Sequence, residues 1–324
     1  MECDNQIVFL PFVQDTETRH RAAADGVDWS MDLSVWACPV CLSRLSLDGD
    51  AVTCPAEGRS FRRIRDLVIL VRPEQEEVVD RAQAFAAAWK KTRWAAPREL
   101  IPSLPFVGNS AWRQKAVSFR KLLEVLGPAK ERKVVDIGAG NGWLSYRLSE
   151  AGFRCFGTDA SWDDDVGLGG ASAFKDSSLL FERAVGTLDR WPIQSTCVDV
   201  AICNASLHYM SNVGHALAEA KRVLRPDGTF ILMNSPVHAD ATSSSRAAGD
   251  FRKRIQNVGN DSLLSQYSHF VREDLEATMD EYFVDVRRHD PNYGFRFRVS
   301  RWIEGRILGM NLASFPIYVA RSGS

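Results

Sequence analysis

The sequence predicts an α/β protein built on a doubly wound, mostly parallel sheet, and three observations carry that expectation. From Lys133 onward, short apolar runs alternate with segments of helical periodicity. The first of these runs, KVVDIG, leads into a glycine-rich loop and then a helix. The chain has 324 residues, 45% of them hydrophobic and 25% charged, which is ample for a sizeable core with an appendage.

Each element follows from its own pattern. EQEEVVDRAQAFAAAWKK has helical apolar spacing, PSLPFVGNS is a Pro/Gly-rich loop, and AWRQKAVSFRKLLEVL is a second helix. KVVDIG is a strand, GWLSYRLSEAG a helix ending on Gly152, and FRCFGTD and FERAVGT are two further strands. CVDVAICN is a fourth strand, followed by the helix NVGHALAEAKRVL, the turn RPDG and a fifth strand, TFILMN. A polar, mostly helical stretch at 238–280 is placed to act as a lid. EYFVDVRR and SFPIYVAR close the chain as strands on either side of a helix, SRWIEGRILG. The organisation expected is an acidic lead-in (1–34, with the apolar run IVFLPFV), a cysteine-bearing module (35–72) ending in the strand-like LVILV, a helical linker or cap (73–111), and the α/β domain (112–324).

Composition narrows the function classes. The formal net charge is −1, so the chain as a whole has no attraction to nucleic acid or membrane. Local charge is uneven: residues 1–58 carry 10 acids against 3 Lys/Arg, while 59–133 carry 17 Lys/Arg against 8 acids. That basic zone reads either as solvated surface or as a face that meets an anion. No apolar run approaches the roughly 20 residues needed to span a bilayer. The start MECDNQIVFL lacks the basic opening of a signal peptide, and seven irregularly spaced cysteines do not form a disulfide framework, so a reduced, cytoplasmic setting is expected. Cys155, Cys197 and Cys203 read as buried free thiols.

The strongest local signal is VVDIGAGNGW, residues 134–143. A strand delivers the chain to Asp136, then Gly138, Ala139, Gly140 and Gly142 form a loop before a helix begins. Glycines there permit a tight turn and close backbone approach to a ligand at the strand's carboxyl end. A dinucleotide site of the form G-x-G-x-x-G needs glycine at 143, where this chain has Trp143. Asp159, followed by Ala160, ends the second strand 21 residues after Gly138, the distance at which an acid accepts hydrogen bonds from ribose hydroxyls.

The D-x-G-x-G-x-G form resembles motif I of class I S-adenosylmethionine (SAM) methyltransferases, a Rossmann-like fold in which the acid faces the cationic methionine end. The resemblance extends to RAVGTLDRWPIQSTCVDVAICNASLHYM, whose loop before strand four passes the adenine in that family, and to RVLRPDGTFILMNSP, similar to the family's segment before strand five. It implies SAM as cofactor and a last strand antiparallel to the rest. It also implies adenine contacts from Thr187 and Leu188, where the family often has an acid, from Trp162 in SWDDDVGLGGA, and a site position for Asn204.

The cysteine module raises a second question. CPVC and TCPAEGRSF followed by an apolar strand resemble the small zinc ribbon preceding certain rRNA methyltransferases, with Glu57 where a fourth cysteine is usual. Cys38, Cys41, Cys54 and Glu57 would make a Cys3Glu structural zinc site; the preferred expectation is a ribbon that folds without metal.

Candidate catalytic groups stand at the ends of strands four and five: His208 and Tyr209 in NASLHYM, and His238 in NSPVH, with Asn204 and Asn234 beside them. The N-P-P-Y segment of amino-directed nucleic-acid methyltransferases is absent, and Cys203 sits within a strand rather than in a nucleophile context. The leading expectation is methyl transfer to a small-molecule acceptor in specialised metabolism, supported also by a segment resembling the ubiquinone-type C-methyltransferases. The alternatives are an RNA methyltransferase using the ribbon and the basic 59–133 segment, and a non-catalytic SAM-binding scaffold. Nothing in the sequence bears on oligomeric state.

Overall fold

The computed structural model describes residues 31–92, 95–174, 181–210, 212–256 and 267–323. The lead-in up to residue 30, with its IVFLPFV run, and residues 257–266 of the expected lid lie outside them.

The chain opens with three antiparallel strands, β1 (Ser46–Asp48), β2 (Ala51–Cys54) and β3 (Arg59–Phe61), which pair in that order. Two short strands follow, β4 (Arg63–Ile64) and β5 (Leu67–Ile69). Helices α1 (Glu76–Trp89) and α2 (Ser110–Leu126) come next. Asn109 starts α2 by accepting hydrogen bonds from the N–H groups of Ala111 and Trp112, and Gly127 ends it at φ 64°.

The α/β unit then runs β6 (Lys133–Ile137), α3 (Trp143–Glu150), β7 (Arg154–Asp159), β8 (Phe181–Val185), β9 (Val198–Asn204), α4 (Val213–Val223) and β10 (Leu224–Met233). It finishes with β11 (Val237–His238), α5 (Ala241–Gln256), β12 (Phe270–Val271), α6 (Arg272–Tyr282), β13 (Asp285–His289), α7 (Phe295–Leu308) and β14 (Ile317–Arg321).

One nine-stranded sheet organises the molecule, in the order β13-β14-β10-β9-β6-β7-β8-β5-β4. The strands from β10 to β5 are parallel; β14 is antiparallel to β10 and β13, which flank it, and β4 is antiparallel to β5 at the other edge. The expected α/β fold with an antiparallel end is therefore present. Strand order reverses between β6 and β9, which places the crevice for a ligand at their carboxyl ends. Beneath it, Leu122 of α2 and Leu144 and Leu148 of α3 are fully buried with Val134, Val200, Ile202 and Ile231. Each such leucine contributes about 1.5–3 kcal/mol.

Three local features differ from the sequence reading. The run LVILV does not stay with the cysteine module: Val68 and Ile69 pair in parallel with Ala184 and Val185. Leu67 to Val71 are all buried, and a wholly apolar run needs the covered faces that a parallel sheet provides. RPDG is not a separate turn but a shift of register inside β10 between Leu224 and Thr229, with Asp227 at φ 60°. Finally, α6 runs through Tyr282, so β13 begins only at Asp285; Phe283 is buried in a stack on Phe230, ring centres 5.4 Å apart.

The segment before β1 is docked on the α/β unit by backbone pairing. Ala37 N–H donates to Pro192 O (2.9 Å) and Gln194 N–H to Val35 O (2.8 Å), while fully buried Trp36 meets Phe156 edge-on at 6.1 Å. Within 238–280, α6 packs on α4 with Leu275 and Met279 buried, so that half belongs to the layer covering the sheet, and α5 is the remaining cover.

Candidate active site

The glycine loop is shaped by backbone demands. Gly138, Gly140 and Gly142 adopt left-handed φ values of 74°, 55° and 78°. A side chain at Gly138 would come within 2.3 Å of Ser206 Cβ, and one at Gly142 within 2.5 Å of Phe181 Cζ. Ser206 crosses under the loop because its hydroxyl donates to Ile137 O at 2.6 Å. The loop and the end of β9 are thus fastened together.

Two carboxylates flank the loop. Asp136 is buried at the end of β6, where Ser145 donates to its Oδ2 at 3.0 Å and Oδ1 has no hydrogen-bond partner among the described residues. Burial pushes its pKa up to about 7. Asp159 accepts from Gly140 N–H (2.9 Å) through one oxygen and from Ser161 N–H (2.8 Å) through the other, with its pKa raised by burial. It therefore braces both the glycine loop and the turn after β7. Ala139 is buried in the cluster of Leu67, Ile69 and Val185, against which Trp162 packs.

The next turn is clamped by cations from the basic 59–133 zone. Lys90 reaches Asp163 at 2.6 Å and Asp165 at 3.6 Å; Arg65 pairs with Asp164, and Arg98 donates to Asp164 O. Gln83 of α1 donates to Ala160 O at 3.2 Å and accepts from Ser161 Oγ at 3.2 Å. Thr187 is buried with its Oγ1 unpartnered among the described residues, and Leu188 O accepts from Trp191 Nε1 at 2.9 Å.

At the ends of β9 and β10, Asn234 Nδ2 donates to Asn204 Oδ1 at 2.8 Å. Ala205 and Asn234 both hold φ 56°, a strained setting for residues other than glycine and one that clusters at functional sites. His208 is buried, with Nδ1 3.1 Å from Ser235 Oγ. Burial, together with the nearby charges of His269 and Lys115, pushes its pKa down to about 3. Lys115 itself, on α2, lies over the Trp112 ring at 4.1 Å and is brought down to about 8 by desolvation.

The second half of the crevice is a group of rings. Phe85 stacks on Trp89 (5.6 Å) and meets Tyr209 edge-on (5.5 Å); Tyr267 stacks on Phe251 (4.1 Å) and contacts Tyr209 (5.2 Å) and His208 (5.3 Å). A directed line of hydrogen bonds runs behind them. His238 Nδ1 lies 2.9 Å from Asn311 O, His238 Nε2 lies 2.9 Å from His269 Nδ1, and His269 Nε2 lies 2.8 Å from Tyr267 OH. A carbonyl only accepts, so His238 carries its proton on Nδ1. Burial holds both imidazoles neutral, His269 down to about 3 and His238 lowered. His238 Nε2 then accepts from His269, and His269 Nε2 accepts from the Tyr267 hydroxyl.

Most of the sequence candidates meet around this crevice, but the cysteine module stands apart. The thiols of Cys38, Cys41 and Cys54 lie within 4.8 Å of one another, with Cys41 and Cys54 sulfurs 3.6 Å apart. Tetrahedral zinc with bonds of about 2.3 Å sets sulfurs about 3.8 Å apart, so the thiols suit such an ion. Glu57 is not in that group: it sits exposed on the turn before Gly58, and the expected carboxylate ligand is not brought to the thiols. Cys203 is fully buried, as its place in a strand implies. Sequence reasoning missed Gln83, Phe85, Trp89, Lys115, Phe251, Tyr267 and His269, whose only signal was an apolar face on α1 and two rings close together in YSHF.

Residues 135–232 match the methyltransferase domain family. An uncharacterized methyltransferase of Bacillus subtilis, YcgJ, is 31% identical over 105 residues, covering 32% of this chain and 41% of that protein. The 27-O-demethylrifamycin SV methyltransferase of Amycolatopsis mediterranei is 28% identical over 153 residues, 44% of this chain and 52% of that protein. The chain spans about half the length, or less, of these curated relatives. Among solved structures, phosphoethanolamine N-methyltransferase 2 of Haemonchus contortus, in complex with S-adenosyl-L-methionine, superposes with a TM-score of 0.50 at 16% identity, over 64% of this chain and 52% of that one. Residues 135–232 thus resemble a methyltransferase domain, set on a class I, Rossmann-like fold.

Proposed function

We propose that this protein transfers a methyl group from S-adenosylmethionine to a small-molecule acceptor. The observation that carries the reading is the pairing of three left-handed glycines at the end of β6 with buried Asp136, whose Oδ1 has no partner among the described residues. SAM fits these residues in kind. Its cationic methionine end suits a buried carboxylate, and the ribose suits Asp159, although both of that residue's oxygens already accept backbone hydrogen bonds. Thr187 Oγ1, buried and unpartnered, suits the adenine amino group, with Leu188, Ala139, Ala160 and Trp162 beside it. Bound SAM would supply a carbon already activated by its sulfonium, so alignment of the acceptor accounts for most of the required barrier reduction, on the order of 7–11 kcal/mol in well-oriented systems.

The acceptor would lie toward Asn204, Tyr209 and the rings of α1 and α5. His208 at a pKa near 3 is a weak proton acceptor, which favours a role in orienting Ser235 and Tyr267 over that of general base. The rifamycin relative acts, by its name, on a small molecule. Against an RNA substrate, Arg65, Lys90 and Arg98 of the basic zone are engaged with acids of the same chain.

The test is to incubate the protein with methyl-labelled SAM and a desalted host extract split into RNA, protein and metabolite fractions. Label in the metabolite fraction supports the proposal; nuclease-sensitive label in RNA overturns it. His208→Gln should lower turnover less than about tenfold, whereas a larger loss restores it as the base. We also propose that the three thiols hold one structural zinc; elemental analysis of unchelated protein finding well under half an equivalent would remove it.

A further inference from the structure

Helix α7 is built inside out. An ordinary surface helix turns its apolar stripe to the core. Here no residue of the helix is buried, and Phe295, Val299, Trp302, Ile303 and Ile307 are all exposed. Their spacing, i, i+4, i+7, i+8 and i+12, puts them in one sector of the helix, which Arg296 and Arg306 share, and Phe295, Trp302 and Ile307 are 72%, 64% and 78% exposed. The cost of leaving such a stripe in water is large, so something covers it in use.

The helix is tied to its neighbours by hydrogen bonds. Tyr293, just before it, donates to Phe315 O (3.0 Å) and accepts from Ser118 Oγ (3.0 Å). Arg301 donates to Ala313 O, and Arg246 of α5 donates to Leu308 O at 3.0 Å. The stripe is therefore presented by design of the fold rather than by fraying.

Charge identifies the cover. Four arginines (296, 298, 301 and 306) and a single acid, Glu304, give the helix a net charge of +3. Arg296, Arg298 and Arg306 are exposed without an ion-pair partner among the described residues, and Arg306 sits 5.4 Å over the Trp302 ring. A second copy docking stripe to stripe would bring two +3 helices together, which like-charge repulsion opposes. Apolar side chains with Trp among arginines are instead what an anionic bilayer surface takes, rings in the acyl boundary and guanidinium groups on phosphates.

We propose that α7 lies in the interface of a membrane carrying anionic headgroups, as a peripheral contact. No helix among the described residues is long and apolar enough to cross a membrane. The inference rests on the surface alone and stands apart from the methyl-transfer reading.

The test is co-sedimentation of the full chain with vesicles of phosphatidylcholine, alone or mixed with phosphatidylglycerol. The expected result is partitioning onto the anionic vesicles only, weakened by added salt and reduced at least about tenfold by Trp302→Glu or Ile307→Glu, with circular dichroism unchanged. Parent protein that stays in the supernatant with both vesicle types, or variants that partition like the parent, would overturn it. So would a lipid-free dimer that Trp302→Glu dissociates, because the cover would then be a second copy.

Discussion

The two sides of the crevice are made in different ways. The core of the glycine-loop side lies within 27 residues, Asp136 to Trp162, and its geometry is dictated by backbone: positive φ values and a carboxylate bracing two N–H groups, with the Ser206 hydroxyl reaching in from beyond β9 to the Ile137 carbonyl. The ring side draws Phe85, Tyr209, Phe251 and Tyr267 from segments far apart in sequence and holds them by side-chain packing. A backbone-made surface tolerates almost no substitution but fits one kind of ligand. A side-chain-made surface can be repacked, and that is where a family can change its acceptor while keeping its cofactor.

That contrast can be broken at graded cost. The largest effect is expected from Gly138→Ala, which combines a left-handed φ with a 2.3 Å approach to Ser206 Cβ. It should cost about 3 kcal/mol or more in urea unfolding and abolish SAM binding by calorimetry.

Asp136→Asn should separate stability from binding. The folded carboxyl, at about 7, keeps a proton that the unfolded chain releases near its ordinary 3.8. Its contribution is present at low pH and lost as pH rises through 7. The variant should therefore be more stable than the parent at pH 8, by about 4 kcal/mol, and equal to it near pH 4. Its affinity for SAM should fall about tenfold to a hundredfold at pH 8. In the parent, SAM affinity should decline as pH drops below 7; in the variant that slope should vanish.

Tyr267→Phe removes the donor at the end of the His238–His269 line. We expect turnover to fall about tenfold with SAM affinity unchanged, and equal losses in both would erase the distinction between the two sides. The smallest effect is expected from Lys90→Met. Its ion pairs to Asp163 and Asp165 are partly exposed, so stability should change by less than about 1 kcal/mol in thermal unfolding.

The same division explains what was legible in the sequence. Strand–helix alternation and the loop spacing are local, so the sheet, Asp136, the glycines and Asp159 could be read directly. Tyr267 and His269 could not, because nothing in YSHF announces that it will meet α1 and β11 across the crevice. LVILV was legible as a strand but not as the neighbour of β8, since an apolar run states that it will be covered without stating by what. Glu57 stands at ligand spacing in the chain, yet the turn points it to solvent.

The parallel pairing of β5 with β8 also has a consequence for synthesis. Leu70 N–H must wait for Val185 O, 115 residues later, before their hydrogen bond can form, although the other edge of β5 pairs at once with β4. At 5–20 residues per second the nascent chain holds an apolar strand with one open edge for roughly 6–23 s. During that interval the segment Leu67–Val71 is exposed at the ribosome, and a chaperone that binds short apolar strands would be expected to meet this protein there first.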